Sequence, residues 1–111
     1  MKKLPFHEAS SGNVFADLGL PDADELLLKS QIVVELARLM KRKKLSQSGA
    51  AAIAGVAQPD LSNLLRGKLR GFSVERLLRM LTAFGRDVDI VVRPARRARA
   101  RGGIKITSKV A

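Results

Sequence analysis

The 111-residue chain has length for one small core plus tails, and 46% hydrophobic content with 4% aromatics, all Phe, favours helices packed through aliphatic side chains over a β-sandwich. Its net charge of +11 is uneven: −3 over residues 1–27, +7 over 28–92 and +7 over 93–111, a footprint that suits a polyanion as readily as it serves solubility. With no Cys, no apolar run that spans a bilayer and no secretory pattern after Met1, disulfides and thiolate metal sites are excluded and a soluble cytoplasmic protein is expected.

Residues 1–20 form an N-terminal segment expected to be partly flexible, with a turn at Ser10-Ser11-Gly12-Asn13. Val14, Phe15, Leu18 and Leu20 inside it are apolar enough to dock on this chain's own core or on a partner. Pro21 with Asp22, Asp24 and Glu25 reads as a helix start, because negative charge is favoured at the positive end of the dipole. That helix is expected to reach about Lys44, burying Leu26, Val33, Leu36, Ala37 and Met40 at three- and four-residue spacing. The closing Lys41-Arg42-Lys43-Lys44 is either a solvated helix end or a set of phosphate contacts.

Ser46 caps a short second helix, Gln47 to Ala54, and Gly55 ends it. A third begins near Gln58, where Pro59 is tolerated because first-turn N–H groups have no intrahelical partner, and Gly67 closes it. Ser73 caps a fourth, with Val74, Leu77, Leu78, Leu81 and Phe84 on one face and Gly85 as its stop. From Arg86 to Arg93 the period changes: Val88, Ile90 and Val92 alternate with Asp87, Asp89 and Val91, which predicts a short β-strand. Such a strand needs a partner, either the N-terminal segment or the same strand of a second subunit. The expected fold is therefore mainly α, a compact bundle of four to five helices with a short C-terminal β-strand. The helical domain spans 21–93, and a flexible Arg-rich tail occupies 94–111.

Residues Gln47 to Gly67 read as a helix-turn-helix. Two helices crossing steeply need a small residue where their backbones approach, and Ala51 supplies it; the turn needs positive φ, which Gly55 tolerates. Val56, Leu61 and Leu64 then point inward, leaving Gln58, Pro59, Ser62 and Asn63 outward.

Leu45-Ser46-Gln47, Ala51, Gly55-Val56, Gln58, Leu61-Ser62 and Arg66-Gly67 resemble the lambda-repressor-like, or Xre, helix-turn-helix family. The run Gln58 to Lys68, with Phe72 to Leu77, Leu81 to Val88 and Phe15 to Leu20, is similar to its HigA-like antitoxin branch. The resemblance covers about residues 14–93. It implies that Gln58 reads a base first, its amide suiting an adenine edge, with Ser62 and Asn63 facing the groove further along. Pro59 is limited to a thymine methyl or a sugar. Gln47 would contact phosphate and brace the recognition helix, while Arg66 and Lys68 would position the protein on phosphates without reading sequence. Asp60 is out of place beside phosphates and is expected to pair with Lys68 or Arg70 rather than with a base.

The resemblance implies a sequence-specific repressor of double-stranded operator DNA. It further implies a homodimer that is the antitoxin of a type II pair and holds a RelE/HigB-type toxin, for which Val14, Phe15, Leu18 and Leu20 are the candidate surface. Alternatives are a stand-alone regulator of the same type and a basic RNA-binding protein, the latter opposed by the lack of Tyr and Trp for base stacking. A helix-turn-helix used purely as a protein-interaction module is the remaining reading. No enzyme, cofactor, metal, membrane or small-molecule substrate is expected: His7 has only Glu8 beside it, and Gly102-Gly103 lacks the Lys and helix of a phosphate loop.

Overall fold

The computed structural model describes residues 13–96 and 101–109. His7, with the rest of residues 1–12, and residues 97–100 and 110–111 of the basic tail lie outside the described residues. Five helices follow in order: α1 Val14–Asp17, α2 Ala23–Arg42, α3 Gln47–Ala54, α4 Gln58–Leu65 and α5 Val74–Ala83. The long α2 is the spine, packing against α1, α4 and α5, while α3 packs against α4 and α5.

Local chemistry explains the bounds. Asp24 and Glu25 lie in the first turn of α2 and Lys41 and Arg42 in its last, both matched to the helix dipole. Ser46 accepts from the Gly49 N–H at 3.0 Å and Ser73 from the Arg76 N–H at 3.1 Å, capping α3 and α5. The helix α1 is an addition to the helices expected from the sequence, while the turn expected at Ser10-Ser11-Gly12-Asn13 lies, but for Asn13, outside the described residues. Asn13 Oδ1 accepts from the Phe15 and Ala16 N–H groups at 3.0 and 3.2 Å, organising a single turn.

The chain leaves α2 through a left-handed residue, Lys44 (φ 54), where the other helix exits use Gly55, Gly67 and Gly85. There the Leu45 N–H bonds the Met40 carbonyl at 2.9 Å and the Lys44 N–H bonds Lys41 at 3.1 Å, satisfying carbonyls the helix would otherwise leave open.

The core runs from Leu26, Ile32 and Leu36 of α2 through Ala50, Leu61 and Leu64 to Leu77, Met80 and Phe84. Each is at most 5% exposed, so the two helices of the turn unit, α3 and α4, are fixed by burial, and α3 also by its Ser46 cap.

No strand forms among the described residues, which corrects the expected C-terminal β-strand. Residues 86–95 carry neither helix nor ladder, and Ile90, Val91 and Val92 are 80, 74 and 92% exposed. The alternation is present, but a strand is satisfied only by a neighbour and one copy of the described chain offers none. Val88 is half-buried against the core, so the run departs from the domain just beyond it. Further on, Ile106 is half-buried on the same core, and its N–H donates to Gln31 Oε1 of α2 at 3.1 Å.

No helix among the described residues is long and apolar enough to cross a membrane.

Candidate nucleic-acid interface

The unit α3–turn–α4 is held from beneath. Ala50 and Ala51 of α3 are buried at 0 and 3% exposure, and Leu61 and Leu64 of α4 at 1 and 0%. With alanines at the crossing, the two backbones approach closely, and Gly55 (φ 72) turns the chain without the strain a side chain would bring. Packing the apolar side of α4 inward leaves its other side to solvent.

That outward side carries Gln58, Pro59 and Asp60, all exposed, followed by half-buried Ser62 and Asn63. Gln47, Arg66 and Lys68 are exposed around it. The first residue of each helix meets the other: Gln58 Nε2 donates to Gln47 Oε1 at 2.9 Å. A carboxamide has two N–H donors and an acceptor oxygen. This bond uses one donor of Gln58, leaving its other N–H and its Oε1, the donor–acceptor pair an adenine edge requires. Gln47 keeps its own amide N–H groups for a phosphate. At the far end of α4, Arg66 Nη2 donates to Asn63 Oδ1, so the Asn63 carbonyl is engaged while its N–H groups remain available.

Asp60 forms no ion pair among the described residues, which corrects the expectation of a bridge to Lys68 or Arg70. Arg70 instead makes a two-pronged pair with Asp22, at 2.9 and 2.8 Å, tying the loop after α4 to the start of α2. The Arg70 hydrogen bond holds the Asp22 carboxyl below the ordinary carboxylate range, and the same contact raises the Arg70 guanidinium further. Asp60 is left in the first turn of α4, where the helix dipole suffices to stabilise a carboxylate.

Nothing in the local pattern distinguishes Asp22 from Asp60 as the partner of Arg70, because that choice depends on where the loop lies. Arg76 also went unassigned from sequence; its guanidinium sits 4.5 Å from the Phe72 ring centroid, pinning the loop to α5. Among the described residues, Arg66 and Lys68 beside the outward face of α4 enter no ion pair, whereas Arg70, Arg38, Arg79 and Lys29 are each paired.

In the N-terminal segment the four candidate partner-binding residues separate. Phe15 and Leu20 are half-buried and pack against this chain's own core, and Val14 is half-buried. Leu18 is 68% exposed.

Comparison with known proteins gives two findings. A helix-turn-helix domain family matches residues 14–93. A solved structure named "Putative XRE Family Transcriptional Regulator" is similar at 43% identity and a TM-score of 0.74, covering 80% of this chain and 100% of that one. No curated protein matches.

Proposed function

The chain belongs to the Xre-like helix-turn-helix family, and on that premise we propose that it is a DNA-binding transcriptional regulator acting as a dimeric, operator-binding repressor. The observation that carries this reading is the outward row of Gln58, Ser62 and Asn63 on a helix buried from beneath, with Gln58 braced by Gln47. Polar side chains fixed in direction on an exposed helix can enter a major groove and read base edges, while Arg66 and Lys68 engage phosphates.

One recognition helix reads too few base pairs for useful specificity, so two copies are required, occupying half-sites about 34 Å apart on one DNA face. Footprinting on a duplex selected from a random pool tests this. Two protected half-sites one helical turn apart are expected, and protection without sequence preference would refute it.

We further propose that the regulator is the antitoxin of a type II pair and represses its own operon. Support comes from the −3 balance of residues 1–27 and from Leu18, an exposed apolar side chain at the C-cap of α1, which together suit a basic ribonuclease toxin of the RelE/HigB type. Because Phe15 and Leu20 serve this chain's own core, the discriminating variant is Leu18→Asp rather than removal of the segment. Loss of neutralisation of the neighbouring toxin with DNA binding intact is expected. Intact neutralisation refutes the surface, and the absence of a toxin gene beside this one favours a stand-alone regulator.

A further inference from the structure

The last turn of α2 and the two residues beyond it carry four consecutive cations, Lys41, Arg42, Lys43 and Lys44, all exposed. Among the described residues none of them enters an ion pair, whereas Arg38, one turn earlier, holds Glu35. No carboxylate lies between Glu35 and Asp60 along the chain, so the stretch is purely basic. The helix dipole accounts for Lys41 and Arg42 in the last turn and for Lys43 at the C-cap. That effect fades beyond the helix end and leaves Lys44 without a reason.

The backbone makes Lys44 stand out further. At φ 54 it is the one non-glycine residue with positive φ among the described residues, while Gly55, Gly67 and Gly85 serve the other helix exits. A Cβ disfavours that conformation, and glycine adopts it freely. The two hydrogen bonds of the turn, from the Lys44 N–H to Lys41 and from the Leu45 N–H to Met40, are backbone bonds that use no part of the lysine side chain. A disfavoured conformation at a residue whose side chain serves no structural contact is the mark of a side chain held there for function.

Its place in the fold says what that function is. Arg66 and Lys68 follow the C-terminal end of α4, so that end of the reading helix has cations for phosphate. The N-terminal end has only Gln47, hydrogen-bonded to Gln58 at 2.9 Å. A neutral carboxamide can hydrogen-bond a phosphate but neutralises no charge and releases no counterion. Lys44 lies three residues before Gln47, within about 11 Å at Cα, and a lysine adds a long flexible stem to that reach. The eight residues of α4 span about 12 Å, comparable to the width of a major groove, whose two sides are lined by separate phosphate strands.

We propose that Lys44 is a phosphate contact on the α3 side of the groove, opposite the strand engaged by Arg66 and Lys68, with Lys41, Arg42 and Lys43 raising the positive potential around it. The proposal rests on the DNA-binding reading above and adds a positioning residue to it. The contact is blind to sequence, since phosphates fix register and orientation and carry no base identity. Glycine at this position would suit the turn better and the DNA worse.

That opposition supplies the test. The parent chain, Lys44→Gly, Lys44→Gln and Lys44→Arg are titrated by fluorescence anisotropy across a range of salt. The probes are a duplex selected from a random pool and a random duplex of equal length. Lys44→Gly is expected to reduce the slope of log K against log salt by about 0.9 on both duplexes, a loss of roughly eightfold for each tenfold fall in salt. Its urea midpoint is expected to rise, giving a chain that folds more stably and holds DNA less well. Lys44→Gln, which keeps the Cβ and its strain, repeats the loss of slope without the gain in stability. Lys44→Arg keeps the charge and is expected to match the parent slope and to bind within about twofold of it.

A slope unchanged in both neutral variants, or a loss confined to the selected duplex, overturns the contact. Weakening shared equally by Lys44→Arg makes the residue structural and overturns it too. A parent chain that binds neither duplex defeats the regulator reading and this contact together. A parent that binds both, with a slope indifferent to Lys44, defeats the contact and leaves the helix-turn-helix assignment standing.

Discussion

Alanine at Gln47 and at Gln58, singly and together, probes the brace between the two helices of the turn unit. In the free protein Gln58 donates one amide hydrogen to Gln47, and the bond is exposed, so its net contribution is that of an ordinary neutral hydrogen bond, about 0.5–1.5 kcal/mol. On operator DNA, Gln58→Ala removes a two-pronged base contact as well, a loss of about 1–3 kcal/mol, or roughly 5- to 160-fold in affinity. Gln47→Ala removes a phosphate contact on every duplex and, on the operator alone, frees Gln58 to sample other rotamers. If the brace aligns Gln58, Gln47→Ala loses part of its effect once Gln58 is already alanine. The coupling expected is about 2- to 12-fold in affinity, corresponding to the hydrogen bond itself. Fluorescence anisotropy with operator and random duplexes at one fixed salt concentration measures all four corners of the cycle. Additive losses on operator DNA, agreeing within about 0.3–0.5 kcal/mol, would refute the brace and reduce Gln47 to a phosphate contact.

Four other outcomes follow from the same geometry. Arg66→Ala should weaken binding to all sequences alike and reduce the salt slope of log K by about one, measured by titration across salt; a loss confined to one base position would make Arg66 a reader. Asp60→Asn should raise affinity for every duplex while lowering stability by about 0.3–1 kcal/mol, since the carboxylate repels phosphates but suits the helix dipole. Base-specific loss in the same assay would identify a cytosine contact instead. Because the folded Asp22 carboxyl lies below its ordinary value, the Arg70 pair stabilises above the ordinary carboxylate range and is lost as pH falls through the folded value. The urea-midpoint gap between the parent and Arg70→Ala should therefore be full at neutral pH and shrink below about pH 4; a gap unchanged in acid would show that Arg70 acts through packing. Lys44→Gly should raise the unfolding free energy by about 0.5–1 kcal/mol, read as a higher urea midpoint, by relieving a left-handed residue at φ 54, and a lowered midpoint would refute the strain.

Most of the helical framework was legible because its signals act within one turn of chain. Ser46 and Ser73 cap, Gly55, Gly67 and Gly85 terminate, and the aliphatic spacing marks the buried faces; helices α3 and α4 consequently begin where their residues predict. The outward set Gln58, Pro59, Ser62 and Asn63 follows from the inward set Leu61 and Leu64, since a helix that buries one side must show the other. The turn α1 escaped that reading because a four-residue helix has too little periodicity to register, although Asn13 ahead of Val14 and Phe15 is a capping signal.

Pairings across long stretches of sequence had no such local signature. Arg70 meets Asp22 over 48 residues, rather than Asp60, and Ile106 returns over 75 residues to Gln31. The angle between α3 and α4 brings Gln47 onto Gln58, and the separation of Phe15 and Leu20 from Leu18 depends on how α1 lies against α2. The alternation from Val88 to Val92 was written in the sequence, yet a strand's hydrogen bonds lie between chains or segments, not within the strand. Residue pattern fixes which elements this chain is disposed to form; only their arrangement in space decides which polar groups find each other and which edge is left to find a partner.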